Sequence, residues 1–229
     1  MVKRVILSSL VLLGLAINTG WSQNKLLGIE DFKEPLGNWF VAGNAKLNSD
    51  DEKKLTALDG TGVFINENGK TTNLVTKQNY GDIKLELDFI ISKKSNSGVY
   101  LQGRYEIQIY DSWGKENPVS WDCGGIYERY DGTKTYEGVP PLVNASGKPG
   151  EWQHLEIKFN APRFNSKGEK IKNAIFKKVK LNGVLIHKNA EVTGPTASSL
   201  DEKEELSGPL MLQGDHWPVA FRNIKLKQR

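Results

Sequence analysis

The sequence predicts an all-β protein, a two-sheet antiparallel sandwich of jelly-roll type. Three observations point there. Short runs of Val, Ile, Leu, Tyr and Phe alternate with polar residues at period two. Gly, Pro and Asn-Gly turn signals separate these runs at regular spacing. No segment sustains an apolar period of 3.6. With 229 residues, of which 38% are hydrophobic, the chain suits one large domain better than two small ones.

Residues 1–22 read as a secretory signal peptide. Met1-Val2-Lys3-Arg4 is a basic head, and Val5 to Ile17 is an apolar core too short to span a bilayer well. Gly20 and Ser22 then supply small residues for cleavage before Gln23. The expectation is a periplasmic or secreted protein, free of the membrane once the leader is removed, with residues 23–229 as a single jelly-roll domain.

Gly28 to Phe40, with Phe32, Leu36 and Trp39, reads as an entry segment that pins an aromatic onto a sheet. Asn44 to Gly60, with the charge run Asp50 to Lys54, reads as a solvated loop. Gly62 to Asn66 and Leu74 to Thr76 flank Asn68-Gly69 and predict a hairpin. In Asp82 to Ser92 the residues Ile83, Leu85, Leu87, Phe89 and Ile91 face a core. Lys84, Glu86 and Asp88 face outward or into the groove described next. A turn after Ser92 predicts antiparallel pairing of this strand with the one that follows.

Ser95 to Asp111 begins with a small polar turn, Ser95 to Gly98, and continues as one extended run. From Leu101 onward, Leu101, Tyr105, Ile107 and Ile109 share one face, and Gln102, Arg104, Glu106, Gln108 and Tyr110 share the other. An arginine, a carboxylate and an amide in one row suggest the floor of a polar groove rather than a merely wet face. Asp111 to Pro149 is long and irregular, and it carries Trp113, Trp121, Tyr127, Tyr130 and Tyr136. Long loops in compact domains are usually functional, and flat aromatic surfaces beside carboxylates suit a sugar ring.

In Glu151 to Phe159, Gln153, Leu155, Ile157 and Phe159 share one face, and Trp152, His154, Glu156 and Lys158 share the other. Ala174 to Leu181 and Val184 to His187 flank Asn182-Gly183, a second hairpin signal. Asn189 to Ser207 is a polar loop. Pro209 to Gln213 and Val219 to Lys227 are closing strands, joined through Gly214-Asp215-His216-Trp217-Pro218. Lys225, Lys227 and Arg229 alternate and read as a solvated edge.

Charge excludes one class of partner. The net charge is +4, and without Lys3 and Arg4 the balance is 29 basic to 27 acidic side chains, so the chain is not an electrostatic nucleic-acid binder. The single cysteine, Cys123, rules out an internal disulfide and reads as a small buried hydrophobe. There is no C-x-x-C and no H-E-x-x-H. No cofactor is predicted and no metal ligand is assigned, although a divalent cation held by converging histidines and carboxylates stays open.

Several segments together resemble a known family. They are Asn96 to Tyr100, Arg104 to Gln108, Asp111-Ser112, Cys123 to Tyr127, Gly150-Glu151-Trp152, Leu181 to Val184, Gly194-Pro195-Thr196, Gly208-Pro209, Leu212-Gln213, His216 and Phe221 to Ile224. In order, from about Gly28 to the C-terminus, they are similar to the bacterial 3-keto-disaccharide hydrolase domain, also described as a 3-keto-glycoside 1,2-lyase and 3-keto-2-hydroxy-glucal hydratase domain. The resemblance implies a concanavalin A-like fold of the lectin and glucanase type. It also implies a 3-keto-glycoside substrate, whose C3 hydroxyl has already been oxidised. Two positions depart from the family pattern: Gln153 stands where Asn is usual, and Gly214 to Trp217 replaces a simpler Asp-His-Gly.

A C3 ketone acidifies the C2 proton. Such a substrate therefore needs a base near C2, a donor for the enolate oxygen and an acid for the leaving group. Glu106, His154 and His216 are the candidate acid/base groups. Asn96, Arg104, Gln108, Trp113, Tyr127, Trp152, Gln213, Trp217 and Arg222 are the candidate substrate-binding groups. Each has a structural rival: Glu106 could pair with Arg104 or Arg222, and His154 could be a satisfied structural histidine. Two other functions stay open, a non-catalytic carbohydrate-binding module and a retaining glycosidase with a close carboxyl pair.

Overall fold

The computed structural model describes Gly20 and residues 22–229, so the expected leader lies outside the described residues apart from Gly20 and Ser22. Sixteen strands follow in chain order: β1 (Lys25–Leu26), β2 (Phe40–Leu47), β3 (Leu55–Asn66), β4 (Leu74–Tyr80), β5 (Ile83–Ile91), β6 (Asn96–Leu101), β7 (Tyr105–Tyr110), β8 (Arg129–Tyr130), β9 (Thr135–Tyr136), β10 (Gln153–Asn160), β11 (Arg163–Phe164), β12 (Lys170–Lys172), β13 (Ala174–Leu181), β14 (Val184–Val192), β15 (Gly208–Leu212) and β16 (Val219–Gln228). Among the described residues one 3-10 turn, Ile29–Asp31, is the only helical element, and no helix is long and apolar enough to cross a membrane.

Two antiparallel sheets stack as the expected jelly roll. The large sheet runs β14-β13-β10-β5-β16-β3-β2, with β1 against the C-terminal half of β16. The small sheet runs β4-β15-β6-β7 and is widened by bridges from Ile107 to Ile126 and from Ile126 to Val139. The inward faces follow from alternation. Leu85, Leu87 and Phe89 of β5 and Leu155, Ile157 and Phe159 of β10 meet Val99, Leu101, Tyr105, Ile107 and Ile109 of the small sheet. Tyr105 contacts Phe159 at 5.4 Å between ring centroids, and Phe159 contacts Phe176 at 5.3 Å. Each such fully buried side chain is worth roughly 1.5–3 kcal/mol. Cys123 is buried in the same core.

A second apolar layer lies on the other side of the large sheet. Near Gly43 and Gly60 the β2–β3 hairpin bends so sharply that the Leu55 amide donates to the Glu67 carbonyl at 3.3 Å. Gly60 takes φ +130° there, and a Cβ on Gly43 would sit 2.2 Å from the Asp59 carbonyl oxygen. The doubled hairpin sets Ala45 and Leu55 over Ile65, Ile90 and Ala220.

Five expectations need correction. Ser95 to Asp111 is a hairpin, not one strand: Gln102 (φ 57°) and Gly103 (φ 64°) turn β6 into β7, and the Arg104 amide closes on the Leu101 carbonyl at 3.0 Å. β5 does not pair with the strand after it; it pairs with β10 and β16, and the chain changes sheets at residues 92–95. Asn68-Gly69 likewise connects strands of different sheets, β3 and β4. Most of residues 44–60 is strand, because the bent hairpin gives its polar residues backbone partners. β16 is not an edge at Lys225, where β5 and β1 flank it. The Asn182-Gly183 hairpin is as expected, with both residues at positive φ.

Candidate active site

The outward face of the small sheet is a grid whose rows follow from strand register. Tyr100 stands opposite Glu106, Gly98 opposite Gln108, and Asn96 opposite Tyr110. On one side β15 adds Met211 beside Tyr100, and its continuation places Gln213 beside Gly98, the Gln213 amide donating to the Gly98 carbonyl at 2.9 Å. On the other side the Tyr127 amide donates to the Glu106 carbonyl at 3.2 Å, which sets Tyr127 next to Glu106. Glu106 therefore lies between two tyrosines.

Glu106 is the centre of this face. It is only 2% exposed, and its carboxyl folds over Gly98, where a Cβ would lie 2.1 Å from Oε1. Tyr100 hydrogen-bonds to it. Burial pushes its pKa up; the Tyr100 hydrogen bond offsets part of this, the nearby Asp215 charge adds to it, and the value settles at about 8. Neither Arg104 nor Arg222 pairs with it among the described residues. A carboxyl held near neutrality inside a polar row can take or give a proton at ordinary pH.

The surroundings are rigid. Thr196 Oγ1 accepts from the Glu106 amide at 3.2 Å and donates to the Arg104 carbonyl at 3.0 Å, while the Tyr100 hydroxyl lies 3.4 Å from the Ala197 carbonyl. Residues 194–197 thus close over one end of the grid. Gln213 is 5% exposed, and its Oε1 is buried without a partner among the described residues. The loop after it is pinned through Gly214, whose amide donates to Asn73 Oδ1 at 2.8 Å and whose carbonyl accepts from Thr71 at 3.0 Å. That loop carries Asp215, whose carboxylate holds His216 Nδ1 at 2.6 Å. His216 and Trp217 line a cleft of about 460 Å³ with Lys70 and Lys54.

The sequence candidates divide between places. Glu106, Gln108, Asn96, Tyr127 and Gln213 share the grid, and His216 and Trp217 adjoin it through Asp215. Arg104 does not share it: it sits in the turn, where its guanidinium donates to the Lys203 carbonyl at 2.7 Å and the Gln102 carbonyl at 3.0 Å and pairs with Asp201. Trp113 lies beyond the end of β7, 54% exposed, with the Lys148 ammonium 5.0 Å from its ring centroid.

Trp152, His154 and Arg222 are on the opposite side of the molecule, on the outward face of the large sheet. There Asp88 accepts from His154 at 2.7 Å, from Asn223 at 2.8 Å and from Arg222 at 3.2 Å, and the Arg222 guanidinium stacks on Trp152 at 3.9 Å. The core lies between this cluster and Glu106, so His154 cannot share a substrate with Glu106. His154 and His216 do not converge on a cation site either, and no group of three or more ligating side chains is arranged for a metal among the described residues.

Sequence reasoning missed Tyr100 and Asp215. Tyr100 shares the parity of Glu106, so its face was readable, but in a single strand the two would stand roughly 20 Å apart. The hairpin makes them direct cross-strand neighbours. The sequence carries no comparable signal for Asp215.

This is the build of a carbohydrate-active jelly roll, with a polar grid on one sheet and a closed carboxyl at its centre. The family described as the 3-keto-alpha-glucoside-1,2-lyase-like domain matches residues 29–227, and the chain belongs to it. A solved structure from Parabacteroides distasonis, provisionally described as a glycosyl hydrolase, is 27% identical, with 87% of this chain and 84% of that chain covered and a TM-score of 0.60. A second from the same organism, described in the same way, shares the fold at 23% identity and a TM-score of 0.50, covering 83% of this chain and 99% of that one. Comparison with curated proteins found no match.

Proposed function

We propose that this chain is an exported enzyme that cleaves the glycosidic bond of 3-keto-glycosides by β-elimination, with hydration of the product giving net hydrolysis. One observation carries the reading: Glu106 is a buried carboxyl with no cation partner among the described residues, bonded to Tyr100 and held at a pKa of about 8. Family membership supports the substrate class.

In this reading ionised Glu106 takes the C2 proton, and the C–H electron pair enters the C2–C3 enolate. Tyr127 and Gln108 stand beside Glu106 and supply donors toward the enolate oxygen. The pair then shifts to form the C1–C2 double bond as the C1–O bond breaks. His216, oriented by Asp215, donates the proton that the leaving oxygen needs. Addition of water at C1 and return of the proton to C2 complete hydrolysis. The outward side chains after Glu106 on β7 are Gln108 and Tyr110, so that strand lacks the second carboxyl of a retaining glycosidase.

A 3-keto-disaccharide incubated in D₂O and followed by NMR should release free sugar or glucal and acquire deuterium at C2. Glu106→Gln should lower turnover by roughly 10²- to 10⁴-fold. The closure of Glu106 favours a second reading, a binding module. Sugar binding without deuterium exchange or turnover, unchanged in Glu106→Gln, would establish that one instead. N-terminal sequencing of exported protein, expected to begin at Gln23, tests the address.

A further inference from the structure

The outward face of the large sheet carries a charge pattern that catalysis on the other face does not use. Register places Lys188 opposite Lys178, Lys178 opposite Lys158, Lys158 opposite Lys84, and Lys84 opposite Lys227. Five adjacent strands thus contribute one lysine each to a single row, roughly 19 Å long at the usual strand spacing. Bulges keep it in line: register shifts beside Lys158 and Val179 hold Lys178 and Lys188 outward, although Phe176 and Ala190, two residues away on each strand, pack toward the core. Like charges placed directly opposite one another destabilise a sheet. Lys84 is engaged within the protein. Lys158, Lys178, Lys188 and Lys227 have no ion-pair partner among the described residues, whereas Lys180, one row away, pairs with Glu156 at 3.8 Å.

We propose that this row is a binding surface for a linear acidic polysaccharide, lying across the strands with its carboxylates or sulfates over successive lysines. The width of the row selects the partner. The next row, Lys180-Glu156-Glu86-Lys225, has two carboxylates at its centre, which bound the positive strip on that side. A single-file anionic chain fits that strip, and a broad phosphate surface such as duplex nucleic acid meets the carboxylates. A lipid surface calls for apolar side chains that insert beside the basic ones, and neither row offers any. A shallow groove lined by Lys84, Glu86, Glu156, Lys158 and Lys178 runs between the rows. The site lies across the core from Glu106, so a bound polymer would tether the protein and leave the grid open. The inference does not depend on the catalytic reading.

Calorimetry of the mature protein with polygalacturonate at low ionic strength tests it. Binding should weaken as salt rises, and fully methyl-esterified polymer, the same chain without charge, should not bind. Lys158→Gln/Lys178→Gln/Lys188→Gln should bind about tenfold more weakly. Its melting temperature at low salt should equal or exceed the wild type's, because removing opposed like charges relieves the sheet. Lys178→Glu alone, one exposed change in mid-row, gives an independent reading and should also weaken binding. Absence of binding at low salt, equal binding by the triple variant, or equally tight binding of phosphatidylglycerol vesicles or duplex DNA would overturn the proposal.

Discussion

Glu106 on one outward face and Asp88 on the other are both carboxylates on alternating strands, and their surroundings drive them in opposite directions. At Glu106, burial dominates and no cation among the described residues answers it, so the carboxyl rises to about 8. At Asp88, burial also pulls upward, but hydrogen bonds from His154, Asn223 and Arg222 outweigh it and hold the group below its ordinary value. Desolvation without a charge partner makes a proton-transfer group, whereas desolvation with three donors makes a structural anchor. The same contrast holds across the faces. The small sheet's grid buries Glu106 as its one carboxyl among uncharged side chains, while the large sheet's face is open and densely charged.

The contrast can be tested through stability first. Glu106 keeps its proton when folded up to about 8, whereas the unfolded chain ionises near 4.5. Between those values the folded state binds more protons, so Glu106 removes stability as pH rises, by on the order of 5 kcal/mol in total. Urea unfolding of wild type and Glu106→Gln should diverge in that window, with the variant gaining as pH rises toward 9. A pH-independent difference would show that Glu106 is ionised and solvated when folded.

Gly98→Ala comes next. A methyl 2.1 Å from Oε1 must displace the Glu106 carboxyl, and roughly a hundredfold loss of kcat/KM, close to 3 kcal/mol, should follow with the chain still folded. Unchanged kinetics would remove Glu106 from the chemistry.

Asp88→Asn should have the smallest effect, about 1–2 kcal/mol of stability at pH 7, with turnover unaffected. Because the Asp88 pKa is depressed, its contribution is present above the ordinary carboxylate range and lost as pH falls through the folded value, so wild type and variant should converge in acid. Loss of turnover in Asp88→Asn would mean that the two faces are coupled after all.

Much of this was legible from residue order, and the failures share a cause. The inward and outward sets of β5, β7 and β10 follow from alternation, and the Asn182-Gly183 hairpin follows from its turn residues. The errors concern partners. The turn after Ser92 predicts that β5 pairs with its chain neighbour, and it joins β10 and β16 instead. His154 and Glu106 both project from polar faces of alternating strands, but those faces belong to different sheets. Arg104 has the right parity but sits in a turn, where its guanidinium satisfies the Lys203 carbonyl of a distant loop and the Gln102 carbonyl of the turn itself.

By itself, the sequence determined the strand class, the inward and outward side chains of most strands, and the presence of a carboxyl in an unusual polar row. Period two is a local property of an extended backbone, so it survives without knowledge of the partner strand. Only the tertiary structure decided which sheet each strand joined, that Tyr100 and Asp215 flank Glu106 while His154 does not, and that five lysines separated along the chain stand abreast. Hydrogen-bonded neighbours and burial depend on contacts between distant segments, and local alternation says nothing about those.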